Sequence, residues 1–101
     1  MNSKERRILD RAPEKVQEIM RILPQGWAII GHGPSSMGWQ ADLSFGKKEF
    51  RLVEDRFYIG VSSMKDGKMK TIVPPLDQRV TIFLDQVCAL LMKGVENWGK
   101  E

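Results

Sequence analysis

The sequence predicts a single α+β domain in which an N-terminal helix, a five-stranded antiparallel meander and a long C-terminal helix follow one another, with both helices on one face of the sheet. Apolar residues recur at helical spacing near both ends of the chain, and five short strand-like runs lie between them. The turns between these runs place apolar residues of neighbouring strands on one face. Because 101 residues make a domain of ordinary size and no repeat or linker divides them, residues 1–101 are predicted to form one domain.

The N-terminal helix is predicted from a stripe of apolar residues, which consists of Ile8, Leu9, Ala12, Val16, Ile19, Met20 and Leu23. Pro13 interrupts this stripe. A proline inside a helix removes a hydrogen bond and clashes with the preceding turn, but the first helical position tolerates it. The helix is therefore predicted over residues 13–23. Residues 3–11 form either a separate turn or a kinked extension, and the sequence leaves both alternatives open.

Five strand-like runs follow, at residues 27–30, 39–45, 49–53, 57–62 and 69–73. Three of the four connections between them carry turn residues, namely Gly46-Lys47, Glu54-Asp55 and Asp66-Gly67. Asp-Gly is the strongest hairpin signal of the three, because both residues tolerate positive φ. The remaining connection, residues 31–38, is predicted to be a long hairpin loop.

Two-residue turns at these three positions fix a register. The expected pairs are Leu43 with Phe50, Ala41 with Leu52, Leu52 with Phe57, Phe50 with Ile59, and Val61 with Ile72. All of these apolar residues fall on the same face, which independent turns need not have produced. The agreement favours an antiparallel meander.

The other face of the predicted sheet is polar. The same register places Asp42, Arg51 and Tyr58 in one row across three strands. Such a row suits an ion pair, and the guanidinium group is expected to stack on the tyrosine ring. Gly60 is predicted to leave a gap where a ligand or another chain approaches the backbone.

The C-terminal helix is predicted to begin after Pro74-Pro75, with Asp77 as its N-cap. Its core stripe consists of Val80, Phe83, Leu84, Val87, Cys88, Leu91, Val95 and Trp98. Gly94 lies within this stripe and indicates a close approach to a neighbouring element. Ile82, Ala89, Met92 and Leu90 lie outside the stripe, so the helix is apolar over more than one face. The sequence leaves open whether this second face is buried or binds another chain.

Composition excludes several classes of protein. One cysteine, Cys88, and one histidine exclude an internal disulfide and a multi-cysteine metal site, so neither a metal nor a cofactor is expected. Cys88 is predicted to be a buried structural residue. No apolar run approaches the roughly 20 residues of a membrane span, and the first residues do not resemble a signal peptide. A cytoplasmic protein without membrane contact is expected.

Residues 31–38 are a candidate for chemistry because they hold the only histidine, His32, with glycines and two serines. A phosphate-binding loop of this composition normally leads into a helix, but here an alternating strand follows. Ser35 or Ser36 would need His32 as a base and an orienting acid, and no such acid is identifiable. No paired carboxylates or nucleotide motif occur elsewhere. The sequence therefore predicts that the protein is not an enzyme.

The leading functional prediction is a non-enzymatic binding module that acts through protein–protein contacts, as an adaptor, inhibitor or immunity-type protein, and that forms a homodimer. The predicted contact surfaces are the polar sheet face, the 31–38 loop and the outer side of the C-terminal helix. The residues expected to bind the partner are Arg51, Tyr58, Asp42, His32 and Ile82.

Two alternatives remain. The first is a single-stranded nucleic-acid-binding protein that uses Arg51 and Tyr58 with the turn lysines Lys65, Lys68 and Lys70. The net charge of +3 permits this but does not indicate it, and lysines at turns also serve solubility. The second alternative is a small-molecule site between the sheet and the 31–38 loop.

Overall fold

The computed structural model describes residues 2–56, 58–72 and 84–98. Its elements are the helices α1 (Ser3–Asp10) and α2 (Glu14–Ile22), the strands β1 (Trp27–Ser35), β2 (Gly38–Phe45), β3 (Lys48–Asp55), β4 (Tyr58–Lys65) and β5 (Lys68–Thr71), and the helix α3 (Leu84–Glu96). The strands form one antiparallel sheet in the order β1-β2-β3-β4-β5. The predicted α+β class and the predicted meander are confirmed.

The N-terminal segment forms two separate helices. Asn2 caps α1, because its side-chain oxygen accepts a hydrogen bond of 2.8 Å from the backbone N–H of Glu5. Pro13 stands at the N-cap of α2 with a φ of −53°, which is the angle that proline requires. Residues 3–10 are separate from α2, as in the first of the two alternatives, but they form a helix of eight residues rather than a turn. Helix α2 matches the helix predicted over residues 13–23.

Strand β1 is longer than the sequence predicts. It extends to Ser35 and is joined to β2 by a two-residue turn, so the long 31–38 loop was a wrong prediction. The register shifts between Ile29 and Gly31, which leaves Ile30 as the extra residue of a β-bulge. The bulge reverses the side-chain alternation for the rest of the strand.

The turn between β3 and β4 lies two residues later than predicted. Strand β3 continues through Glu54 to Asp55, and Asp55 pairs with Tyr58. Glu54 has a structural reason to belong to the strand, since its carboxylate makes an ion pair of 2.9 Å with Lys15 of α2. Arg56 accommodates the turn with a φ of +47°, and Phe57 lies outside the described residues.

This shift changes two of the predicted pairs. Leu52 pairs with Val61 rather than Phe57, and Phe50 pairs with Ser63 rather than Ile59. The displacement along β4 is four residues, an even number, so each side chain keeps its predicted face. The pairs predicted at the other two turns are confirmed, by the β2–β3 register and by the hydrogen bond of 2.8 Å from the Ile72 N–H to the Val61 carbonyl.

The hydrophobic core lies between the helices and one face of the sheet. The largest fully buried side chains are Phe50, Ile19, Leu43, Leu52, Leu91, Val16, Val61 and Val87. Helix α2 packs against β1 and α3, α3 packs against β4, and α1 packs against β1. A Cβ atom on Gly94 would lie 2.6 Å from Phe50 Cε1 and 2.7 Å from Ile72 Cδ1. The close approach predicted for this glycine is therefore between α3 and the sheet.

The second apolar face of the C-terminal helix is largely covered. Leu90 is buried and Met92 packs against the core, whereas Ala89 is exposed. Ile82 lies outside the described residues, as do Pro74-Pro75, Asp77, Val80 and Phe83. Of the two interpretations that the sequence leaves open, burial is the correct one for Leu90 and Met92. None of the helices in the described ranges is long and apolar enough to cross a bilayer.

Candidate binding surfaces

Alternate residues of β2 to β5 point away from the core and form what we call the open face. They are Gln40, Asp42, Ser44, Glu49, Arg51, Val53, Asp55, Tyr58, Gly60, Ser62, Met64, Met69 and Thr71. None of these described residues belongs to the hydrophobic core, and only Ser62 is buried. The opposite side, on which the helices lie, is called the covered face.

An ion pair lies at the centre of the open face. Arg51 Nε donates a hydrogen bond of 2.8 Å to Asp42 Oδ1, and Nη2 donates one of 3.4 Å to Oδ2. The hydrogen bond to Asp42 and its charge raise the pKa of Arg51. Both side chains are about one-third exposed, at 31% and 33%. The cross-strand pair expected from the sequence is present, and its charges remain in contact with water.

Tyr58 does not lie in this row. Because the β3–β4 turn comes later than predicted, Arg51 pairs with Ser62, whereas Tyr58 pairs with Asp55. The four residues from Tyr58 to Ser62 correspond to roughly 13 Å along a strand. The predicted stacking of Arg51 on Tyr58 is therefore wrong. The Tyr58 ring instead lies beside Gly60, with Cε2 3.9 Å from the position of a Cβ there, so the ring occupies the gap predicted at this glycine.

The turns β1–β2 and β3–β4 meet at one end of the sheet, which we call the Tyr58 end. Met37, Asp55, Arg56 and Tyr58 line a depression of about 430 Å³ there. Met37 is 43% exposed and Tyr58 is 42% exposed. The tyrosine O–H donates to Asp55 Oδ2 at 3.4 Å. This depression lies between the sheet and residue 37 of the 31–38 segment, which is the kind of place where the sequence predicts a small-molecule site, and Arg56 of the β3–β4 turn adds to it.

The other two turns lie at the opposite end, the lysine end. Lys65 pairs with Lys68, and Lys70 pairs with Ser63. Two residues beyond the pair of Phe50 with Ser63, the same register places Lys48 opposite Lys65. These lysines share the side of the sheet on which Val61 is buried. The structure thus separates Lys65, Lys68 and Lys70 from Arg51 and Tyr58, and the residues of the predicted nucleic-acid site do not form one surface.

His32 lies on β1 opposite Ala41, on the covered face of the sheet. The β-bulge at Ile30 reverses the side-chain alternation and so turns His32 to this face. The depression that it lines belongs to α1 and β1 and is also lined by Arg7, Ile8, Arg11, Ile30 and Gly31. Ser35 pairs with Gly38 three residues further along the strand. Side chains three residues apart in a strand point to opposite faces, so His32 and Ser35 cannot act as a nucleophile–base pair.

Cys88 and the acidic groups give no sign of a reactive or metal centre in the described residues. Burial, followed by the charge of Asp85, raises the pKa of the Cys88 thiol from 9.0 to about 11. Its Sγ lies 3.8 Å from the Ile19 carbonyl oxygen. Within residues 2–56, 58–72 and 84–98, no group of three or more His, Cys, Asp or Glu side chains is placed to hold a metal ion.

Comparison with protein-family models, with curated proteins and with solved structures finds no match to this chain.

Proposed function

We propose that the chain is a non-catalytic binding module that acts through protein–protein contact, and that the open face together with the Tyr58 end is its contact surface. The observation that carries this proposal is the one-sided sheet. Its covered face packs against the helices. None of the described open-face residues belongs to the hydrophobic core that the helices form with the sheet. A sheet with one solvent-exposed face is common in antiparallel proteins, so the proposal rests also on the composition of this face.

The size and composition of the surface fit a protein interface. The four strands of the open face, three of them eight residues long, span roughly 19 by 26 Å, which is of the order of the 800 Å² that each partner buries in a standard interface. Tyrosine, methionine and arginine are enriched at interface cores. Tyr58, Met37 and Arg56 meet at one end, and Met69 is 58% exposed on the open face. The large apolar side chains of this surface are thus of the kinds that interfaces use.

The proposed partner is a second copy of the chain. Asp55 and Arg56 carry opposite charges within one depression. In a two-fold symmetric dimer the same patch faces itself, so each Asp55 can pair with Arg56 of the other copy. The patch is therefore complementary to itself in charge, with Tyr58 and Met37 supplying the apolar contact.

Light scattering coupled to size-exclusion chromatography tests the homodimer. We expect a dimer at high micromolar concentration, and we expect Tyr58→Ser and Met37→Ser each to raise the dissociation constant by about tenfold or more, as truncation of an interface anchor does. The matched control is Ile22→Ser, because Ile22 is 50% exposed on α2 and belongs neither to the open face nor to the Tyr58 end. A strictly monomeric wild type defeats the homodimer, and an equal effect of Ile22→Ser places the contact elsewhere.

We also propose a cytoplasmic location. The only cysteine, Cys88, is a buried free thiol. Proteins of reducing compartments lack disulfides, so this residue is compatible with the cytoplasm. Imaging of a fluorescent fusion in the native host checks the location, and an exported fusion contradicts it.

A second candidate function is single-stranded nucleic-acid binding at the lysine end. Lys48, Lys65 and Lys68 occupy neighbouring register positions on three strands. Like charges opposite one another destabilise a sheet, and a chain of phosphates would offset their repulsion. The open face is less suited to nucleic acid, since Asp42, Glu49 and Asp55 outnumber its one arginine.

Fluorescence anisotropy with a labelled single-stranded oligonucleotide tests this candidate. We expect the logarithm of the association constant to fall with the logarithm of salt concentration, with a slope of about −0.7 for each phosphate contact. The double variant Lys65→Gln/Lys68→Gln should bind more weakly and should show a less steep dependence on salt. Lys93→Gln on α3 should change neither the affinity nor the salt dependence. Absence of binding at low salt, or equal loss with Lys93→Gln, rejects the candidate.

A further inference from the structure

A second basic surface lies between α1 and the adjacent edge of the sheet. Arg7 lies on α1 and Arg11 is the C-cap of this helix; they are four positions apart, which places them about one helical turn apart on the same side. Both side chains line the α1–β1 depression of about 320 Å³, together with His32 on the strand. Two guanidinium groups and an imidazole ring thus surround one concave site.

Among the described residues, no ion pair neutralises the positive charges of Arg7 and Arg11 at this depression. Glu5 of α1 faces β1, and its Oε1 accepts a hydrogen bond of 3.3 Å from the backbone N–H of Ile29. In the described ranges, the ion pairs are Lys15 with Glu54 and Arg51 with Asp42, and neither arginine of the depression takes part. An anion bound between Arg7 and Arg11 would therefore replace repulsion by attraction.

The floor of the depression is apolar and open. The β-bulge leaves Ile30 45% exposed, and Ile8 lines the helical side. A basic rim around an apolar floor matches an anion that carries an apolar substituent better than a bare inorganic ion.

We propose that the α1–β1 depression binds the phosphate group of a phosphate monoester. Arg7 and Arg11 donate hydrogen bonds to the phosphoryl oxygens, His32 faces the same group, and Ile8 and Ile30 contact the organic part. Guanidinium forks match phosphate oxygens in geometry. A phosphate monoester also carries about −1.5 to −2 charges near neutral pH, more than a carboxylate. This site is separate from the open face and does not depend on the proposed dimer.

Calorimetric titration and amide chemical shifts of the full chain test the proposal. Phenyl phosphate and benzoate are the paired probes, since both carry one phenyl ring and differ in the anionic group. We expect phenyl phosphate to bind more tightly than benzoate and more tightly than inorganic phosphate. We also expect it to shift the amide signals of Ile30, Gly31 and His32. Equal affinities for phenyl phosphate and benzoate overturn the assignment to phosphate.

Substitutions locate the site. Arg7→Gln and Arg11→Gln should each weaken phenyl phosphate binding by about tenfold or more, which is the effect of losing one charged hydrogen bond. Arg6→Gln is the matched control, because Arg6 lies on the same helix and does not line the depression. Arg6, Arg7 and Arg11 are all exposed, so the variants should fold, and circular dichroism checks this. Equal weakening by Arg6→Gln, or no shift at residues 30–32 with millimolar phenyl phosphate, overturns the proposal.

Discussion

The two faces of the sheet are built by alternate residues of the same strands, and they are stabilised in different ways. On β3, Phe50 and Leu52 are fully buried against the helices, whereas Arg51 and Val53 between them remain partly exposed. The covered face is held by apolar packing, and the centre of the open face is held by an ion pair in contact with water. The difference teaches that folding free energy is concentrated on one side, which leaves the other side free to change with little loss of stability.

The largest expected effect is on the covered face. Phe50→Ala should lower the free energy of unfolding by about 3–5 kcal/mol, because it removes a fully buried ring and leaves a cavity. The rings of Trp27 and Trp98 have centroids 5.4 Å from that of Phe50 and would both lose a partner. Urea denaturation measures the change, with Tyr58→Ala as the open-face control. If Phe50→Ala lowers the unfolding free energy as little as Tyr58→Ala does, the proposed difference in stability between the two faces is wrong.

Cys88 gives the covered face a dependence on pH. The pKa of this thiol is about 11 in the folded chain, above its ordinary value of 9.0, because burial disfavours the thiolate. The folded state therefore retains the proton longer than the unfolded state. This contribution to stability is fully present below about pH 9 and is lost as the pH rises through 11, amounting in total to about 2–3 kcal/mol.

Urea denaturation of the wild type and Cys88→Ala at several pH values measures this contribution. The difference in unfolding free energy between the two proteins should shrink by about 2 kcal/mol between pH 9 and 11. Other groups titrate in the same range, and the alanine variant controls for them. A difference that stays constant with pH contradicts the assignment of the effect to Cys88.

Gly94 tests how closely α3 approaches the sheet. Gly94→Ala should lower the unfolding free energy by about 1–2 kcal/mol. The new methyl group would overlap Phe50 and Ile72, and this steric cost exceeds the free energy gained from the higher helix propensity of alanine. Lys93→Ala, at the exposed neighbouring position of α3, is the control. Stabilisation by Gly94→Ala, measured by the same denaturation, would mean that α3 and the sheet have room between them.

The smallest effect is expected at the centre of the open face. A double-mutant cycle with Arg51→Met and Asp42→Asn should give a coupling energy of about 0.5–1 kcal/mol, as partly exposed ion pairs do. The coupling should decrease in high salt because exposed charges are screened. A coupling energy above about 2 kcal/mol would remove the energetic contrast between the two faces.

The accuracy of the sequence-based register follows the turn residues. Gly46, Asp66 and Gly67 adopt positive φ in the turns predicted at their positions, which is what these residue types favour. The β3–β4 turn instead places Arg56 at positive φ, and an arginine gives no local signal for that conformation. The sequence therefore predicts the turn at Glu54-Asp55 instead. Each side chain was nevertheless assigned to the correct face, because the register error along β4 was four residues, an even number.

The two depressions were harder to predict because they depend on contacts between distant segments. Met37 and Tyr58 lie 21 positions apart and meet only because two hairpins turn at the same end. The spacing of Arg7 and Arg11 is visible in the sequence, but it is also typical of a solvated helix face. The bulge that directs His32 towards α1 is hidden in a segment whose glycines and proline resemble a loop.

We expect the break at Pro13 to let α1 open without the rest of the molecule. None of residues 3–10, all of which the structure describes, is buried, and the side chain of Glu5 ties α1 to the backbone of β1. Pro13 interrupts the helical backbone hydrogen bonds, although the Gln17 side chain donates to the carbonyls of Asp10 and Ala12 across the break. We therefore expect α1 to open while α2 stays folded. Its amide hydrogens should then exchange with solvent through a local opening, and those of the central strands only through global unfolding. Each such opening would expose the edge of the sheet and empty the α1–β1 depression, so occupancy of that depression should slow exchange in α1 alone.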